Sequence, residues 1–106
     1  MQKEVKEVID LLIKALKTHF NDFHGLYLYG AFADGGTPCE DDDIELVAIF
    51  DEENKEKREL IWPIVGKIET ELQVYIDLHP VTMDEFKKDE EFYEEVVNNG
   101  VFFNIE

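Results

Sequence analysis

Positive charge is what this sequence has least of. Its 106 residues carry 10 Lys and Arg against 26 Asp and Glu, a formal net charge of -16, and a field of that sign repels phosphate backbones and anionic membrane surfaces. Nucleic acid and membrane are therefore not expected as partners. A basic protein or divalent cations would be attracted, although solubility alone also accounts for such a charge. Cysteine is nearly absent as well. A lone Cys39 forms no internal disulfide, so the fold needs no oxidising compartment and a cytoplasmic setting is expected. No apolar run approaches the length that spans a bilayer, and Met1-Gln2-Lys3-Glu4 leads straight into an amphipathic pattern, so no targeting segment is expected. There is also no repeat, linker or low-complexity tract. What remains, 44% hydrophobic and 34% charged residues, suffices for one hydrophobic core and not two, which predicts a single domain over 1–106 with one site.

The apolar residues Val5, Val8, Ile9, Leu12, Leu16 and Phe20 recur at steps of three and four with Lys and Glu between them, the pattern of a core-facing helix. His24-Gly25 breaks that pattern, and Leu26-Tyr27-Leu28-Tyr29 reads as a short buried strand ending at Gly30. Asp34 to Asp42, with Gly35-Gly36, Pro38 and an acidic run, predicts an exposed loop. From Asp43 to Phe50 the residues Ile44, Leu46, Ala48 and Phe50 alternate with Asp43, Glu45, Val47 and Ile49, the period of a strand. Ile61, Ile64, Val65, Ile68 and Leu72 have helical spacing, with Pro63 expected to split or bend the helix. Gln73 to Leu78 alternates again, placing Asp77 near a strand end just before His79-Pro80. Thr82-Met83-Asp84-Glu85 has the form of a capping box opening a short helix. A last helix with Phe92, Val96 and Val97 should stop at Asn98-Asn99-Gly100, and Val101-Phe102-Phe103 should pack back on the core.

The chemistry concentrates in three carboxylates. Asp43 and Glu45, two residues apart on a strand, point the same way, and Asp77 on a neighbouring strand can converge on them. Crowded carboxylates repel unless cations offset the charge, and oxygen ligands of this kind suit Mg²⁺. The plainer alternative is that Asp43 closes the acidic loop, Glu45 lies on a solvated face and Asp77 caps the next turn. His19, His24 and His79 read as surface or turn residues, Cys39 lacks the basic neighbours of a nucleophile, and Tyr27, Tyr29, Phe32 and Trp62 read as core or interface.

The order of these elements resembles the minimal nucleotidyltransferases of the DNA polymerase beta superfamily, including the antitoxin-like partners of HEPN proteins. Tyr27-Leu28-Tyr29-Gly30-Ala31-Phe32-Ala33-Asp34-Gly35 stands where that family often shows an apolar strand, Gly-Ser and then Ala-Arg-Gly; Asp42-Asp43-Ile44-Glu45-Leu46 is similar to its Ser-Asp-Ile-Asp-Leu segment, and Tyr75-Ile76-Asp77-Leu78 to the strand bearing the third carboxylate. The resemblance covers nearly the whole chain. It implies an α+β fold, with a small mainly antiparallel or mixed sheet of three to four strands flanked by helices. It also implies that Asp43 and Glu45 hold Mg²⁺, two ions in the active form, against a nucleoside triphosphate, that Asp77 is a metal ligand or general base, and that Gly30, Ala31 and Phe32 face the nucleotide where a helix opens toward the phosphates.

Two positions depart from the family pattern: Ala31 has no hydroxyl where serine is usual, and Asp34 stands where arginine is common. The expected activity is transfer of a nucleoside monophosphate, AMP from ATP, to a hydroxyl of a protein or small molecule, with a small helical HEPN-type protein or a second copy of the chain completing the site. The alternative is a protein that keeps this fold without transfer and acts by docking a basic partner. An acidic cation-binding domain outside the family is a third reading.

Overall fold

A computed structural model describes residues 3–33 and 42–105. The expected loop, with Asp34 and Cys39, lies outside the described residues apart from Asp42. Helix α1 (Lys3–His19) forms where the periodicity predicts, and Val5, Val8, Ile9, Leu12 and Leu16 are buried along one stripe. Strand β1 (Phe23–Tyr29) begins earlier than the sequence implies. His24-Gly25 belongs to it, with a register irregularity between Phe23 and Gly25 that absorbs the disturbance.

Strand β2 (Ile44–Phe50) alternates as expected, but both of its faces are covered. Ile44, Leu46, Ala48 and Phe50 join the main core with α1, while Val47 and Ile49 join a second cluster with Phe86 and Val96. Helix α2 (Lys55–Leu72) runs uninterrupted through Pro63, so there is one helix and not two. An interior proline costs about 3 kcal/mol, and burial of Ile61, Val65 and Ile68 against the main core offsets it. Trp62 stands half exposed on the outer side of this helix.

The third strand differs most from expectation. Gln73 is the left-handed cap of α2, at φ 56°, and β3 spans Ile76–Thr82, so Asp77 lies at the start of the strand and His79-Pro80 within it. The pairing with β2 fixes this start: Ile44 sits beside Ile76 and Glu45 beside Asp77 in a parallel ladder, and Leu78 joins the core. Pro80 is tolerated because β3 is an edge strand, where a missing donor need not break a ladder.

The capping box forms as read, with Thr82 and Glu85 exchanging hydrogen bonds at the start of α3 (Met83–Lys88). Helix α4 (Glu90–Asn99) stops at Gly100. Val101-Phe102-Phe103 does return to the body of the protein, but as strand β4 (Val101–Asn104), with Phe103 against the core and Val101 and Phe102 exposed.

The sheet order is β3-β2-β1-β4, antiparallel except for the β2/β3 pair. Helices α1 and α2 contribute to the main core on one face, and α3 and α4 to the second cluster on the other. This is an α+β fold with a four-stranded mixed sheet, and no helix among the described residues is long and apolar enough to cross a membrane.

Gly66 offers a direct check on α2. A side chain there would meet nothing within 4 Å, so glycine only weakens the helix. Gly66→Ala should stabilise the protein by about 0.5–1 kcal/mol in urea unfolding, and a loss of stability would show that α2 is not helical there.

Candidate functional site

Because β1 runs opposite to β2 and β3, the last residue of β1 lies level with the first residues of the other two. The register places Tyr29 beside Glu45 and Glu45 beside Asp77. Alternation turns all three toward the α3/α4 side, the face that carries Val47 and Ile49. Asp43, two residues before Glu45, is exposed at the entry to β2. The three sequence-predicted carboxylates thus meet at one end of the sheet.

Gly30 is the backbone complement of Glu45. It turns the chain at φ 77°, and a side chain added there would collide with the Glu45 carboxylate. The left-handed conformation, which other residues adopt only with strain, is what requires glycine, and the bare Cα lets the end of the Glu45 side chain lie against the turn. The helix expected after Gly30 is a single 3-10 turn, Gly30–Phe32, closed by the Ala33 amide donating to the Gly30 carbonyl at 3.0 Å. Phe32 is partly buried against the main core, as its core reading implies. The arginine-position residue Asp34 lies outside the described residues.

Negative charge is crowded at this end of the sheet. Burial, and then the charges of Asp77 and Asp43, push the Glu45 carboxyl above the usual glutamate range, with His79 pulling the other way and Asp42 adding to the rise. Burial followed by the charges of Glu45 and Asp77 also pushes the Tyr29 hydroxyl well above its ordinary value, so it stays protonated at neutral pH.

Two residues joined to this row were read from sequence as bland. His79 Nε2 lies 3.3 Å from Asp77 Oδ1, and Phe92 at the start of α4 sets its ring edge-on to both Tyr29 (5.3 Å) and His79 (6.3 Å). The i to i+2 spacing of Asp77 and His79 was the available signal for the first. Nothing local could reveal the second, because α4 is distant in sequence.

Among the described residues, no group of three or more His, Cys, Asp or Glu side chains is gathered closely enough to hold a metal ion. The cage that the spacing suggested is therefore not preformed. The donors nevertheless fit Mg²⁺ in kind: they are crowded carboxylate oxygens, and Mg²⁺ is commonly held by one or two carboxylates together with waters and substrate phosphates.

No protein-family model and no curated protein matches the sequence. Solved structures do. A toxin-antitoxin structure with AMP-PNP matches at TM-score 0.63 and 19% identity, covering 95% of this chain and 72% of the matched one. A candidate nucleotidyltransferase from Sulfolobus solfataricus matches at TM-score 0.53 and 20% identity, over 97% of this chain and 88% of that one. The fold is that of a minimal nucleotidyltransferase domain. A third structure, the tri-AMPylated Shewanella oneidensis HEPN toxin in complex with MNT antitoxin, matches at TM-score 0.50 and 15% identity, over 89% of this chain and 84% of that one. In this nucleotidyltransferase fold, the row of Tyr29, Glu45 and Asp77 lies beside the Gly30 turn.

The raised Glu45 pKa has a stability consequence of definite sign. Ionised Glu45 is less favoured in the folded chain than in the unfolded one, so it lowers stability above its folded-state pKa and has no effect below the ordinary glutamate value. Glu45→Gln should raise the urea midpoint at neutral pH, with the gain shrinking as pH falls through the carboxylate range and vanishing in acid. A gain of equal size at both ends of that range would rule out charge crowding as its cause. Gly30→Ala, which adds both strain and a collision with Glu45, should cost on the order of 1–3 kcal/mol in the same assay.

Proposed function

We propose that this chain is a Mg²⁺-dependent nucleotidyltransferase that moves AMP from ATP to a hydroxyl of a protein partner of the HEPN type. The observation that carries this reading is the register of Glu45 beside Asp77 on parallel strands, with Gly30 kept clear under the Glu45 carboxylate. Asp43 and Glu45 would hold Mg²⁺, which when bound supplies charge neutralisation at the triphosphate and at the entering and leaving oxygens. The Gly30-Ala31-Phe32 turn, with backbone close to Glu45, is the element that would lie along the phosphates. Asp77, on the adjacent strand, would orient the acceptor hydroxyl and take its proton. Tyr29 and Phe92, partly buried and in ring contact beside the row, would limit water on that side and strengthen charge interactions within it.

The acceptor class rests on the neighbours. One solved relative carries AMP-PNP and another contains an AMPylated HEPN toxin. In this reading the partner, or a second copy of the chain, completes the acceptor site.

A second reading is favoured by one residue. Ala31 follows Gly30 and offers phosphate no hydroxyl, and losing a hydrogen bond to a charged group costs about 1.5–3 kcal/mol. A protein of this fold could then bind its partner without transferring anything.

Calorimetry and intact-mass spectrometry separate the two. With Mg-ATP and a HEPN-type partner, wild-type protein should add AMP mass to the partner. Losing even a group that merely supports a metal ligand costs about 10- to 100-fold, so Asp43→Ala should slow transfer at least that much. Tight partner binding with neither nucleotide affinity nor an AMP adduct would replace the first reading with the second.

A further inference from the structure

At the opposite end of the sheet from the carboxylate row lies an open cavity of about 460 Å³. On β2 it begins at Ile49, four residues beyond Glu45 and thus roughly 13 Å away along the strand. Nothing in the proposed transfer reaction uses it. Its size is within the range of sites that take small molecules or single side chains.

Tyr27 and Phe102 form its aromatic wall, with ring centroids 4.6 Å apart. Phe102 is 45% exposed, so part of its ring is open to contact. Gly25 makes this placement possible, since a side chain there would come within 2.8 Å of the Phe102 ring. Met83 adds a flexible apolar surface. At the rim stand Asp84 and Asp51, the latter held by His24 Nε2 at 2.6 Å.

The chemistry of this lining selects against anions. The Thr82 and Glu85 amides at the start of α3 are already engaged by each other's side chains, and the lining residues contribute no Lys or Arg. Carboxylates at the mouth and aromatic faces within suit a cation on an apolar stem: a guanidinium stacks flat on a ring and donates in plane to carboxylates. The formal charge of -16 draws basic surfaces toward the protein, and here an aromatic wall stands behind acidic side chains.

We propose that this cavity seats an arginine side chain of a basic protein partner, anchored between Tyr27, Phe102 and the Asp51 and Asp84 carboxylates. The assignment does not depend on nucleotide transfer. It gives the partner a second anchor on the face shared with the carboxylate row.

The test is a nuclear magnetic resonance titration of the whole chain with a short capped peptide containing one arginine, its citrulline counterpart, and free agmatine. The arginine peptide should shift the Met83 methyl and the Tyr27 and Phe102 ring signals saturably, with citrulline much weaker. Phe102→Ala and Asp84→Asn should each weaken binding by about fivefold or more while leaving Mg-ATP binding as in the wild type. Shifts that fail to saturate, that spread over the acidic surface, or that persist with citrulline would overturn the site. Agmatine binding more tightly than the peptide would overturn the partner side chain in favour of a free amine. Because Mg-ATP binding is read in the same samples, failure of this site and failure of the transfer reading remain distinguishable.

Discussion

Strand β2 is buried on both faces, and almost everything else in the molecule follows from covering it. Ile44, Leu46, Val47, Ala48, Ile49 and Phe50 are each at most 4% exposed, so apolar layers are needed above and below, and the two helix pairs supply them. Glu45 is the one charged residue in the strand, and burial of a carboxylate is unfavourable without compensation. The fold resolves this by placing Glu45 at the strand's open end. The same placement brings it level with Asp77, and there the charge crowding arises.

The far end of β2 is held differently. Lys57 Nζ bonds to Asp22 at 2.5 Å and to the Glu52 carbonyl at 2.6 Å, and lies 4.5 Å from the centre of the Phe50 ring. Burial alone would raise the Asp22 carboxyl, but hydrogen bonds from Lys57 and the Glu52 amide, together with the lysine charge, outweigh it and hold Asp22 below its usual range. At one end of the central strand Lys57 satisfies Asp22 internally; at the other, His79 offsets only part of the crowding among the carboxylates. That contrast separates scaffold from candidate site.

Much of this was legible in the sequence because it is local. The stripe of α1, the alternation of β2 and the capping box at Thr82 each depend on residues a few positions apart. The start of β3 was not legible, because Val74 to Leu78 alternates well enough for a strand; only pairing with β2, more than 30 residues earlier in the chain, makes Ile76 the first residue and leaves Gln73 to end the helix. In the site, the carboxylates and Gly30 were readable from residue type and spacing. The ring of Phe92 against Tyr29 and His79, the His79–Asp77 contact and the close approach of Glu45 to Gly30 depend on long-range packing. Spacing also implied a tighter carboxylate cage than the side chains form, since it fixes which way residues point and not how far apart they settle.

Strand β4 pairs with β1 across the greatest sequence separation in the sheet, from Gly25 with Asn104 to Leu28 with Val101. The carboxylate row, built from β1, β2 and β3, needs no residue of β4. The aromatic cavity does, because Phe102 is half of its wall. The two ends of the sheet thus depend on different parts of the chain, and a change confined to β4 reaches the aromatic cavity without touching the carboxylate row.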